Sequence, residues 1–149
     1  EMRENMQTIV LVMRRKPIAQ SLVGRLQDNP DAQIIHASDY DNSEAIIFNS
    51  KANVVLIEAA ESGDYGIAYC LELCERLRKD APKCMLLLMC PEQDENSITR
   101  VVEAKRKKRI DDFVFYDVTI EYLISKLMSM YPSNGKYEML RGVHNYGSN

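Results

Sequence analysis

What the sequence lacks removes several classes of function. No apolar run approaches the ~18 residues that span a bilayer, so no membrane span is expected. Charge of one sign is not in excess: 19 Lys and Arg stand against 22 Asp and Glu, a formal net charge of −3. That balance gives no overall attraction to nucleic acid or to an anionic membrane, and direct nucleic-acid binding is not expected. The opening residues, Glu1-Met2-Arg3-Glu4-Asn5, lack the apolar core of a secretion signal, so a cytoplasmic location is expected. Histidine is scarce, with His36 and His144 far apart, and Cys70, Cys74, Cys84 and Cys90 form no C-x-x-C pair. No metal site is expected from such a set, and the cysteines read as buried, reduced thiols acting as small apolar residues. No glycine-rich phosphate loop follows the first apolar run, where Arg14-Arg15-Lys16-Pro17 stands, and no nucleophile–base pair is visible. The chain therefore reads as neither an enzyme nor a cofactor carrier. It contains no internal repeat and no low-complexity segment.

What is present is an alternation. The 149 residues, 46% hydrophobic and 28% charged, suit one globular domain with a sizeable core. Residues 8–13 (T-I-V-L-V-M) form a first buried strand. Pro17 then suits the first turn of a helix carrying Ile18, Leu22, Val23 and Leu26. Residues 33–37 (Q-I-I-H-A) are a short second strand. Asp41-Asn42-Ser43-Glu44 fits a capping box that opens a second helix, which Asn49-Ser50-Lys51 closes. Residues 52–58 (A-N-V-V-L-I-E) are the third strand. Its four consecutive apolar residues mark burial on both faces, and it ends in a single carboxylate, Glu58.

After a turn with Ser62, Gly63 and Gly66, the spacing of Ile67, Cys70, Leu71, Cys74 and Leu77 marks an amphipathic helix. Residues 84–90 (C-M-L-L-L-M-C) are a fourth buried strand, and residues 91–96 a polar loop. A fourth helix with Ile98, Val101 and Val102 runs into Lys105-Arg106-Lys107-Lys108-Arg109. That basic run reads as a solvated helix end complementing the dipole, with a docking patch for an acidic partner as the alternative. Residues 113–116 (F-V-F-Y) are the fifth strand. Thr119 caps a last helix carrying Ile120, Leu123, Ile124, Leu127 and Met128, which Pro132-Ser133-Asn134-Gly135 stops. The domain is expected over residues 1–131, with 132–149 a tail or linker.

Five short βα units predict an α/β fold: a doubly wound, five-stranded parallel sheet between two helical layers. The leading topology is flavodoxin-like (CheY-like), strand order 2-1-3-4-5. Its switch point falls between the carboxyl ends of strands one and three, which carry Arg14-Arg15 and Glu58.

With that frame in place, residues 8–131 resemble the receiver domain of two-component response regulators. The stretch Glu58-Ala59-Ala60-Glu61-Ser62-Gly63-Asp64-Tyr65-Gly66 is similar to the family's loop after the third strand in length and in both glycines, with Ser62 in place of its proline. The resemblance implies a phosphorelay signalling frame. It places Arg14 and Arg15 where the family has its Mg²⁺-binding acidic pair, and Glu58 where it has its phosphoacceptor aspartate. Met89 falls on its hydroxyl residue, Tyr116 on its lysine, Asp117 on the following proline and Phe113 on its switch aromatic.

Each replacement removes something phosphoryl transfer needs. Arginines repel Mg²⁺, Tyr116 carries no charge at neutral pH, and Met89 has no hydroxyl. A degenerate receiver, or pseudo-receiver, is therefore expected, acting through protein contacts without Mg²⁺-dependent phosphorylation. Arg14 or Arg15 is expected to form a bidentate ion pair with Glu58; the alternative leaves all three side chains solvated and independent. The resemblance further implies a homodimer through the face of the fourth helix, fifth strand and fifth helix, with Phe115, Tyr116 and Tyr122 as interface residues. An output domain outside this chain is expected. The competing expectation is a receiver gated by a small ligand or anion at Arg14 and Arg15.

Overall fold

The computed structural model describes residues 6–92 and 95–130. The expected tail from residue 132 lies outside the described residues. In chain order the elements are β1 (Gln7–Val12), α1 (Lys16–Leu26), β2 (Ala32–Ala37), a 3-10 turn (Tyr40–Asn42), α2 (Ser43–Ser50), β3 (Val54–Glu58), α3 (Ile67–Asp80), β4 (Met85–Cys90), α4 (Glu95–Arg106), β5 (Asp112–Phe115) and α5 (Ile120–Ser129). The strands form one parallel sheet in the order β2-β1-β3-β4-β5. This is the flavodoxin-like topology that the alternation of runs predicts.

Alternate residues of the central strands feed two cores. Ile9, Leu11, Val54, Leu56, Leu87 and Met89 pack with Leu22 and Leu26 of α1 and Leu123 and Leu127 of α5. Val10, Val12, Val55, Ile57, Leu86 and Leu88 pack on the other face with Ile47 of α2, Leu73 and Leu77 of α3 and Val101 of α4. Burial on both faces is why these strands read as unbroken apolar runs, and each such side chain contributes ~1.5–3 kcal/mol. All four cysteines are free and buried. Burial pushes the thiols of Cys74 and Cys84 up to about 12 and that of Cys90 up to about 11, while Cys70 is also raised.

Three local expectations are corrected. The capping box does not form: Asp39, not Asp41, accepts a main-chain N–H (that of Asp41, 3.2 Å), and Asn42 at the start of α2 makes no side-chain cap. The short 3-10 turn takes up the residues that the box needs. Second, α4 begins at Glu95, so Asn96 lies within the helix and not in the loop before it. Third, β5 covers Asp112–Phe115, which leaves Tyr116 just beyond the strand's carboxyl end. By contrast, Thr119 caps α5 as expected, accepting from the Tyr122 amide at 3.0 Å.

Two helices end on a lysine in the left-handed region: Lys51 after α2 (φ 54°) and Lys108 after α4 (φ 63°). Each end is closed by paired main-chain bonds. Ala52 N–H reaches Ile47 O at 3.1 Å and Lys51 N–H reaches Phe48 O at 3.2 Å; Arg109 N–H reaches Ala104 O at 2.8 Å and Lys108 N–H reaches Lys105 O at 3.0 Å. These are Schellman closures, whose left-handed position favours glycine. In the basic run, Lys105 pairs with Asp112 (3.0 Å), Lys107 with Glu103 (3.5 Å), and Arg106 also with Glu103. Three of its five charges are thus answered inside the molecule, as suits a helix end more than an open docking patch.

Candidate functional site

Among the described residues, the sheet's carboxyl edge holds one buried acid, Glu58. Register places Glu58 beside Met89, and Val12 beside Ile57, so the chain leaving β1 at Arg14 and Arg15 passes the Glu58 side chain. Glu58 is 2% exposed. A carboxylate removed from water needs replacement partners, or it costs several kcal/mol.

Here the β1–α1 turn supplies them. Glu58 Oε1 accepts the main-chain N–H groups of Arg14 (3.0 Å) and Arg15 (3.3 Å). Glu58 Oε2 accepts from Nε of Arg15. Three donors from two consecutive residues converge on one carboxylate. The extended backbone of Arg15 (φ −76°, ψ 97°) just before α1 accompanies this convergence. Bonds to a charged acceptor each contribute ~1.5–3 kcal/mol, so together they can offset the burial.

The guanidinium of Arg15 has further partners. Its Nη2 lies 3.2 Å from Met89 Sδ, and its Cζ lies over the Tyr116 ring, 4.0 Å from the ring centre. Tyr116 is half-buried and its hydroxyl donates to the carbonyl of Ala59, one residue past Glu58. Burial, and next the Glu58 carboxylate, push the Tyr116 phenol up to about 12. Arg14 turns the other way, its exposed guanidinium 5.8 Å from the Tyr65 ring centre.

Arg15, Glu58, Met89 and Tyr116 are therefore brought together, while Arg14 contributes its amide. The expected bidentate pair is corrected to a single side-chain contact through Nε, because the two amides occupy the other carboxylate oxygen. The alternative of three independent solvated side chains is excluded by the burial of Glu58.

These residues do not fit a divalent cation. Glu58 already has a guanidinium and two amides around it, and the positions flanking it are arginines. Among the described residues, no cluster of three or more His, Cys, Asp or Glu side chains is arranged to hold a metal.

On the far side of the sheet's edge, Phe113 and Phe115 are half-buried and meet edge-on at 5.6 Å. Lys105 Nζ lies 5.8 Å from the Phe113 ring centre. Asp112, at the start of β5, binds both Lys105 and Lys126, tying α4 to α5. Burial raises the Asp112 carboxyl, but the Lys126 and Lys105 contacts and the Phe113 amide outweigh it and hold it below the usual aspartate range. Tyr122 stands 51% exposed on α5.

Sequence reasoning missed a second cluster beside Glu58, made of Tyr40, Tyr65, Tyr69 and Asp41. Tyr65 and Tyr69 are four residues apart and eight tyrosines replace any tryptophan, which was the available signal.

The strand order and the helices on both faces of the sheet define a CheY-like fold. Solved structures similar to the chain bear this out. A response regulator from Thermotoga maritima shares 16% identity, with 86% of this chain and 99% of that chain covered at a TM-score of 0.68. A CheY-like receiver domain protein from Methanospirillum hungatei JF-1 shares 18%, with 83% and 92% covered and a TM-score of 0.68. A protein described as adenylate cyclase from Rhodopirellula baltica shares 14%, with 97% and 98% covered and a TM-score of 0.71. At these identities the likeness is one of fold. No protein-family model and no curated protein matches the chain.

Proposed function

We propose that the chain is a degenerate receiver: a regulatory signalling domain that acts through protein contacts and not by phosphorylation of its carboxylate. One observation carries this reading. The Arg15 guanidinium, with two main-chain amides, occupies the surroundings of Glu58 that a phosphoryl group and its cation need. Beside it, Met89 has no hydroxyl, and Tyr116 has no charge and gives its hydroxyl to the Ala59 carbonyl, so neither offers a free hydroxyl or a fixed cation to a phosphate. In this reading the domain is not an enzyme and needs no cofactor.

Its contact surface is the α4–β5–α5 face, where Phe113, Phe115 and Tyr116 are half-buried and Tyr122 is exposed. The partner is a second copy of the chain, and the domain is the regulatory part of a cytoplasmic response regulator whose output lies outside residues 1–149. Among the described residues no helix is long and apolar enough to cross a membrane. Gating by an anion at Arg14 and Arg15 is the less favoured reading, since Arg15 is already engaged.

The test is incubation with Mg²⁺ and acetyl phosphate, or with beryllofluoride, followed by intact mass and sedimentation. No modification and no change of association state is expected. A phosphorylated species, or a shift in dimerisation with beryllofluoride, overturns the reading.

A further inference from the structure

A second device grips Glu58 from the side away from Arg15. Tyr40, in the turn after β2, is 2% exposed, and its hydroxyl donates to the main-chain carbonyl of Glu58 at 2.5 Å. Its ring stacks on Tyr65 with centres 4.6 Å apart and planes 18° from parallel. Tyr65 belongs to the β3–α3 turn and meets Tyr69, in the first turn of α3, edge-on at 4.9 Å.

The two outer hydroxyls converge on one acceptor: Tyr65 donates to Asp41 Oδ2 (3.1 Å) and Tyr69 to Asp41 Oδ1 (3.0 Å). The turn also closes on itself, with Ala60 N–H on Tyr65 O at 2.8 Å. Between those anchors, Glu61, Ser62, Gly63 and Asp64 are exposed, and Gly63 sits at φ 90°. A glycine-bearing surface turn of this kind opens readily unless its ends are held.

We propose that Tyr40, Tyr65, Tyr69 and Asp41 form a clamp that holds the β3–α3 turn closed over Glu58 with no ligand bound. Arg15 fixes the Glu58 side chain; the clamp fixes its main chain and the turn that follows. The inference rests on the degenerate-receiver reading for its purpose, a site set by the chain's own residues, but not for its geometry. Because Tyr40 binds a carbonyl, the clamp survives changes to the Glu58 carboxylate. Desolvation and then the Asp41 hydrogen bond push the Tyr69 phenol up to about 12, in keeping with the same contacts.

Hydrogen exchange of the full chain tests this. In Asp41→Ala and Tyr65→Leu, the amides of Ala59 and Ala60, bonded to Met89 O and Tyr65 O, are expected to exchange at least about tenfold faster while those of β1 and β4 keep their rates, since only a local opening has become easier. In Glu58→Gln the turn is expected to stay protected. Asp41→Asn, which keeps the side-chain shape, is expected to show a smaller acceleration in the same segment. The proposal fails if neither Asp41→Ala nor Tyr65→Leu speeds exchange at Ala59 and Ala60, or if β1 and β4 quicken in proportion. It also fails if Glu58→Gln opens the turn as fully as Asp41→Ala does. Phosphorylation of a chain whose turn responds as expected sinks the degenerate-receiver reading and leaves the clamp standing.

Discussion

At the scale of single residues, the functional question turns on Glu58 and Arg15. Replacing Glu58 by Gln keeps an oxygen for the two amides but turns an NH2 group toward Nε of Arg15, donor against donor. Glu58→Gln is expected to lower stability by about 1–3 kcal/mol in urea denaturation, the cost of an unsatisfied buried polar group. Arg15→Ala should cost a comparable amount, and Arg14→Ala much less, because Arg14 contributes through its main chain. If the two alanine variants lose equal stability, the division of labour between the arginines is wrong.

Glu58 was legible in the sequence, since a lone carboxylate closing an apolar strand can point only to the sheet's edge. Which arginine meets it was not, because that depends on the backbone turn at Arg15 before α1. The tyrosine cluster was hard to read for a similar reason: Tyr40 and Asp41 lie in one segment and Tyr65 and Tyr69 in another, and only the fold brings the two together.

Among elements, the helix ends and ties carry the clearest consequences. Lys108 holds a left-handed conformation that costs a side chain roughly 1 kcal/mol. Lys108→Gly is therefore expected to raise stability by roughly 0.5–1 kcal/mol, the gain trimmed by the greater freedom of glycine when unfolded. A loss of stability would show that the Lys108 side chain makes a contact of its own.

The Asp112 tie adds a pH dependence. Its carboxyl is held below the ordinary value of 3.8, so the stability it gives is fully present above that pH and disappears as pH falls through the lowered folded value. Acid titration of the unfolding midpoint should be shallower in Asp112→Asn than in the parent chain. Periodicity located every strand and helix here, but failed at the start of α2. The pattern Asp41 to Glu44 satisfies a local rule, yet Asp41 serves Tyr65 and Tyr69 instead, and a tertiary contact overrode the local one.

For the molecule as a whole, the two cores decide stability, and their thiols and phenols set its alkaline limit. Cys74, Cys84 and Cys90, together with Tyr116, ionise at higher pH folded than unfolded. Their contribution is complete below pH 9, the ordinary thiol value, and is lost between there and about 12 as the unfolded chain ionises first. The unfolding midpoint should fall steadily across that range. At pH 8 the four thiols should resist alkylation until the chain is unfolded; a thiol that reacts in the native protein would contradict its burial. The fold was readable from the βα alternation because each strand has only two faces to fill and both are apolar.

The counter-charge to Glu58 is part of the polypeptide, and that has a consequence for regulation. Such a partner cannot be chelated, hydrolysed or diluted, and it arrives with every molecule the ribosome makes. Under the degenerate-receiver reading, the domain then has no input to read through this carboxylate. Under that same reading, what remains adjustable at this site is dosage: how fast the chain is synthesised and how fast it is destroyed.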